Sequence, residues 1–242
     1  MDSGKTMEKR GAVCFTFDDF HGENWLIADS LFQKYDAHAT FFIVGEISSE
    51  KLEVMKKLRA FGHTVGLHSV HHGNAVKFIQ KNGADKYLEE EIIPQLEVCR
   101  RSGLEIHCFS YPCNYRDDDT DRLLFRYFDY LRSGHGIDGR PSRYYPLKTL
   151  PEKNCFIGTG VGTYYNSEIP VLKAELTHAA ETGSILVYYA HDIGPADQIE
   201  KNDMPVEWLE ALLAFAKGIG LRIAGFDELN KLKKEAGQTS LS

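Results

Sequence analysis

Short apolar runs alternate with longer amphipathic stretches along most of the chain, and this alternation restricts the fold more than any other property of the sequence. The pattern predicts strands over 11–17, 38–44, 63–68, 106–111, 129–133, 155–158, 184–190 and 221–224. Between them it predicts helices over 23–35, 48–61, 84–102, 117–128, 168–182, 205–218 and 226–235. Strands separated by helices run parallel and are joined by right-handed crossovers. About seven such units favour an α/β fold, a single-domain, distorted and incomplete (β/α)7 barrel. At 242 residues and 43% hydrophobic composition the chain can bury one sizeable core. The domain is expected to take in residues 1–242, with its core at about 11–228. Pro94 lies inside the 84–102 stretch, which should therefore kink or split.

The residues that carry chemistry sit where these strands end. Asp18 and Asp19 follow the apolar run Ala12 to Phe17. Neighbours on an extended chain point to opposite sides, so one carboxylate can ligate a metal while the other stays free. Fifty residues later the segment Gly62-His63-Thr64-Val65-Gly66-Leu67-His68-Ser69-Val70-His71-His72 offers a His-x-x-x-His pair. A helical turn there would bring His68 and His72 to one face. Imidazole nitrogens with a carboxylate oxygen suit zinc, and three protein ligands with an open position make a catalytic rather than a structural site. Such a site lowers the pKa of a bound water to about 7. Residues 18–19, 110–114 and 191 all follow predicted strands, and barrel active sites lie at the C-terminal strand ends.

With these residues in place, the chain resembles the polysaccharide deacetylases, the carbohydrate esterases that share the chitooligosaccharide deacetylase homology domain. Thr16-Phe17-Asp18-Asp19 matches the family's first motif, and His68-Ser69-x-x-His72, led in by Gly62-His63, matches its second. The resemblance implies that Asp18 is the catalytic base and that Asp19, His68 and His72 hold a divalent metal, zinc first, with cobalt or nickel as substitutes. His63 and His71 would then pack or hydrogen-bond. Ser184 to Asp192 is similar to the last motif, which makes His191 the general acid that protonates the leaving nitrogen. In well-studied members an Asp orients that His; here only Asp129 and Asp138 are candidates.

The third motif departs from the family pattern. Where well-studied members carry Arg-Pro-Pro-Tyr-Gly after a Phe, this chain has Phe109-Ser110-Tyr111-Pro112-Cys113-Asn114. Ser110 thus stands in place of the Arg that holds the base. Arg132 or Arg116 could supply the guanidinium from elsewhere. By resemblance the backbone N–H of Cys113 falls at the oxyanion donor position, a role that depends on main chain.

The remaining features bound the partners. A net charge of −7 argues against nucleic acid or an anionic membrane and leaves a neutral or partly cationic glycan acceptable. Aromatic faces suit sugar rings, and Trp25, Tyr111 and Tyr144 are the expected substrate contacts. No stretch is long and apolar enough to span a membrane. Five scattered cysteines, an odd number, read as reduced thiols of a cytoplasmic protein, with the cell envelope as the alternative if a leader was removed. The expected activity is removal of N-acetyl groups from an N-acetylated sugar polymer or oligosaccharide. O-acetyl ester or non-sugar amide hydrolysis by the same site, or an inactive glycan- or metal-binding module, are the alternatives.

Overall fold

A computed structural model describes residues 11–134 and 144–238. The elements follow in chain order as β1 (Ala12–Phe17), α1 (Gly22–Lys34), β2 (Thr40–Ile43), α2 (Ser49–Ala60), β3 (Thr64–Leu67), α3 (Ala75–Asn82) and α4 (Ala84–Tyr87). A π-helical turn (Leu88–Ile92) leads into α5 (Ile93–Arg101), then β4 (Cys108–Ser110), α6 (Asp118–Leu124), β5 (Tyr130–Ser133), β6 (Tyr144–Pro146), β7 (Asn154–Ile157) and β8 (Thr159–Gly160). The chain continues with α7 (Ile169–Thr182), β9 (Ser184–Ala190), β10 (Ile193–Gly194), β11 (Met204–Pro205), α8 (Val206–Gly218), β12 (Arg222–Ile223) and α9 (Leu229–Gln238).

The large sheet runs β6-β9-β1-β2-β3-β4-β5-β7, with β12 on β1 and β8 on β9. Every pairing in it is parallel except β6 against β9. Because β7 pairs with β5 and, two residues on, β8 pairs with β9, the sheet curls into an incomplete (β/α) barrel. All six residues of β1 are buried, as expected where helices cover one face and barrel interior fills the other.

The period of two along the strands sorts side chains between those two faces. Val13, Phe15 and Phe17 pack outward with Trp25 and Phe32 of α1 and with Leu209, Leu212 and Leu213 of α8. Ala12 and Cys14 pack inward with Phe42, Cys108, Tyr130, Phe156, Ile185 and Val187. Phe226, Leu229 and Leu232 fill the interior from the N-terminal strand ends, where Phe226 N–H bonds Thr40 Oγ1 at 3.0 Å. Gly66 of β3 has no room for a side chain, since a Cβ would lie 2.6 Å from Phe42 and 2.7 Å from Cys108 Sγ. Continuing the inward parity one or two steps toward the C-terminal strand ends brings up Asp18, His68, Ser110, Arg132, Tyr189 and His191. Strand periodicity therefore aims these residues into one mouth of the barrel.

The 84–102 stretch is split at the π-helical turn ahead of Pro94, as its ring and missing N–H require. Two local features differ from the sequence expectations. Helix α3, capped by the Asn74 side chain on Lys77 N–H, was not anticipated. Neither were β6, β8 and the β10–β11 pair, each two or three residues long and defined by its partner rather than by its own pattern. Among the described residues no helix is long and apolar enough to cross a membrane.

Candidate active site

Asp18 is the first residue beyond β1, tied in by its N–H to Ala190 O at 3.0 Å, and only 3% exposed. The fully buried Arg132 of β5 donates to Asp18 Oδ2 through Nη2 and to Asn114 Oδ1 through Nη1, the latter at 2.8 Å. Its guanidinium carbon lies 4.7 Å from the Tyr189 ring centroid, so an aromatic face covers the charge. Ser110 Oγ donates to the other Asp18 oxygen at 3.3 Å. Burial alone would raise the Asp18 carboxyl, but the Arg132 guanidinium, aided by His68 and His191, holds it below its ordinary value. Asp18 is thus ionised at neutral pH.

The position of Arg132 explains how a chain with Ser110 can still present a guanidinium. Ser110 and Arg132 are register partners on β4 and β5, so they point the same way from adjacent strands. Arg116 does not share this place: its Nε sits 2.9 Å from Asp121 Oδ1, and the pair lies at the start of α6, away from Asp18. The expectation that it could orient Asp18 is corrected accordingly.

Asp19 has a φ of 73°, which swings its carboxylate back toward the barrel mouth instead of the opposite face. Its Oδ1 lies 3.6 Å from His68 Nε2 and 3.4 Å from His72 Nε2. All three donor atoms fall within 4.8 Å of one another. The two imidazoles are not brought together by a helical turn, as the spacing had suggested. Residues 68–72 form an irregular loop in which Ser69 (φ 62°) and His72 (φ 54°) are both left-handed, and this curl sets the rings edge to face with centroids 4.9 Å apart. His68 Nδ1–H donates to Ser110 O at 2.8 Å, which leaves Nε2 with its lone pair toward Asp19. Burial pushes the His68 imidazole down to about 4, so it is neutral and able to ligate. Two imidazole nitrogens and one carboxylate oxygen, with the tautomer set by an outer hydrogen bond, fit a zinc-like divalent ion.

His191 follows β9 and shares a cavity of about 400 Å³ with Asp18, His68, His72, Cys113 and Asn202. Its Nδ1 donates to the backbone O of Asn202 at 3.1 Å, with the Asn202 side-chain amide 3.0 Å away. An asparagine thus stands where an orienting Asp was sought. Asp129 pairs with His107 at 3.6 Å instead, and Asp138 lies outside the described residues. Cys113 lies on the cavity wall with an exposed thiol and a φ of 54°. His63 is packed away, accepting Ala39 N–H at 3.1 Å and facing Asp29 at 3.0 Å, and His71 faces Glu91.

The expected sugar contacts need correction. Trp25 is fully buried on the outer face of the sheet, its ring tilted against Phe41, and cannot offer a ring to a sugar. Its Nε1–H instead donates to His191 O at 2.9 Å and fixes the end of β9. Tyr144 packs against His178 at 4.5 Å on β6 and does not line the cavity. Tyr111 does line it, but is fully buried with its hydroxyl donated to Asp121. The aromatic wall of the cavity comes from Tyr164, Tyr165 and Tyr189, of which Tyr164 is 69% exposed. Asn114, which bridges Arg132 to the cavity, lies in the 110–114 segment that follows a predicted strand but had no role of its own assigned, and Asn202 carried no recognisable sequence signal.

A family model described as polysaccharide deacetylase matches residues 5–124. A peptidoglycan-N-acetylglucosamine deacetylase of Bacillus cereus is 35% identical over 83 residues, 34% of this chain and 29% of that protein, so the matched region is under a third of the relative's length. Among solved structures, the peptidoglycan deacetylase PdaC from Bacillus subtilis superposes with a TM-score of 0.62 at 14% identity over 96% of each chain. BA3943, a CE4 family pseudoenzyme from Bacillus anthracis, does so with a TM-score of 0.59 at 16% identity, over 91% of this chain and 65% of that one. At these identities the two superpositions speak for the fold alone.

Proposed function

The chain belongs to the polysaccharide deacetylase family, and from that premise we propose that it is a hydrolase that removes N-acetyl groups from an N-acetylated glycan with the help of a divalent metal. The observation that carries this reading is one cavity lined by Asp18, which Arg132 holds ionised, by His68 and His72, whose donor atoms lie within 4.8 Å of that of Asp19, and by His191. Asp19, His68 and His72 would hold the metal, whose Lewis acidity would polarise the acetyl carbonyl and acidify the attacking water.

The rest of the reaction falls to the protein's own groups. Asp18 accepts the proton of the attacking water, and its orientation is set by two donors, Arg132 Nη2 and Ser110 Oγ, one on each carboxylate oxygen. His191 Nε2 delivers a proton to the departing nitrogen, while Nδ1–H stays engaged with Asn202 O. The Cys113 N–H supplies a main-chain donor for the oxyanion of the tetrahedral intermediate.

The test is acetate release from N-acetylglucosamine oligomers and from peptidoglycan by metal-stripped protein, with and without added zinc or cobalt. Release that depends on metal and vanishes in Asp18→Asn, with metal still bound, is expected. The departure at Ser110 favours one second reading, a module that binds metal or glycan without turnover. It predicts bound metal with no acetate from any N- or O-acetylated glycan, O-acetylated xylan included.

A further inference from the structure

Glu89, Glu90 and Glu91 form an acidic run on the π-helical turn, yet Glu91 is only 2% exposed. Its carboxylate spans His71: Oε2 accepts the His71 backbone N–H at 2.9 Å, and Oε1 lies 2.8 Å from Nδ1 of the same residue. One turn further on, Gln95, 1% exposed, places Nε2 at 3.1 Å from Ser69 O, 2.7 Å from Gly45 O and 3.2 Å from Ile43 O. The segment therefore grips the loop at Ser69 and at His71, on the stretch between His68 and His72. That loop contains two left-handed non-glycine residues, Ser69 and His72. Such conformations persist only where the surroundings hold them. The π turn, closed by Ile93 N–H on Leu88 O, is the local irregularity that carries Glu91.

We propose that Glu91 is a positioning residue for the His68–His72 pair, acting through its two-point hold on His71 with Gln95 as the second anchor. The proposal rests on the reading that Asp19, His68 and His72 hold a divalent metal. Glu91 touches neither imidazole of that pair. Its effect is to keep the left-handed turn at His72 closed, so that His72 Nε2 stays 3.4 Å from Asp19 Oδ1. Outer partners of metal ligands typically change affinity about 10–100-fold when removed.

The experiment measures cobalt affinity of the full chain by competition with a chelator, for wild type, Glu91→Gln and His71→Ala, alongside amide hydrogen exchange at residues 69–72 in metal-free protein. The imidazole of His71 is largely exposed, so His71→Ala keeps the test alive if Glu91→Gln does not fold. Expected are at least about tenfold weaker cobalt binding for Glu91→Gln, a loss in the same direction for His71→Ala, and faster exchange in both. Where wild type binds cobalt, affinity within twofold of wild type in the folded variants overturns the proposal. If wild type binds no cobalt, or binds it equally well as His68→Ala, the metal-site reading fails instead. The hold of Glu91 on the loop is then judged by exchange alone, faster supporting it and unchanged overturning it.

Discussion

Arg132 carries the sharpest prediction, because the chain departs from its family at Ser110 and the structure places a guanidinium on the neighbouring strand. Replacing Arg132 with Ser leaves Asp18, 3% exposed, with the weak donor Ser110 Oγ at 3.3 Å as its side-chain partner among the described residues. Removing one partner of a buried ion pair costs about 3–5 kcal/mol when the remaining charge stays uncompensated. Part of that cost is avoided if Asp18 takes up a proton, since burial, the largest influence on its carboxyl, then acts without opposition from Arg132. Both outcomes harm the base, so kcat/KM for acetate release at pH 7 should fall at least tenfold, about 1.4 kcal/mol. The acid limb of the pH–rate profile should move to higher pH. Ser110→Arg in the same protein should restore part of the loss, because positions 110 and 132 are register partners and both face Asp18. Ser110→Arg alone should not help, since position 110 is fully buried and an added side chain would collide with Arg132 in place. Steady-state rates across pH, with thermal unfolding as a control for folding, decide the matter. An unchanged acid limb and rate in Arg132→Ser would refute the reasoning.

Other consequences can be measured independently. Trp25→Phe removes the donor to His191 O, leaving a carbonyl at the end of β9 without its partner, a loss of about 1–3 kcal/mol. Turnover should drop while KM for the glycan stays constant, and a raised KM with unchanged kcat would point back to a sugar contact. Burial pushes His63 down to about 4 from an ordinary 6.5. It is therefore neutral in the folded chain, and its contribution, on the order of 3 kcal/mol, is fully present above pH 6.5 and lost as pH falls toward 4. Urea midpoints of wild type should decline across that window more steeply than those of His63→Gln, and parallel declines would remove His63 as the cause.

Much of the architecture is legible in the sequence, for a local reason. The apolar runs at 12–17, 184–190 and 130–133 are strand-forming in themselves, and their spacing by amphipathic stretches commits the chain to parallel pairing. Period two along a strand also settles which residues share a side, so Asp18 and His191 could be placed at strand ends from sequence. The helical reading of 68–72 failed because spacing alone does not distinguish a helix from a loop with two left-handed residues. Trp25 was misplaced for a different reason: an aromatic six residues after an acid pair reads as a rim residue until α1 is seen packed against the outside of β1 and β2.

The sequence by itself determined the fold class, the ends of the strands and the residue types available there, because these depend on short-range periodicity and on chemistry that each residue carries with it. Only the tertiary structure decided the partnerships: Arg132 rather than Arg116 on Asp18, Asn202 rather than an aspartate on His191, Glu91 under His71, and Trp25 holding the strand that presents the acid. Those pairings depend on strand order, register and the curl of the sheet, which join residues 11 to 166 positions apart and exist only once the barrel has assembled.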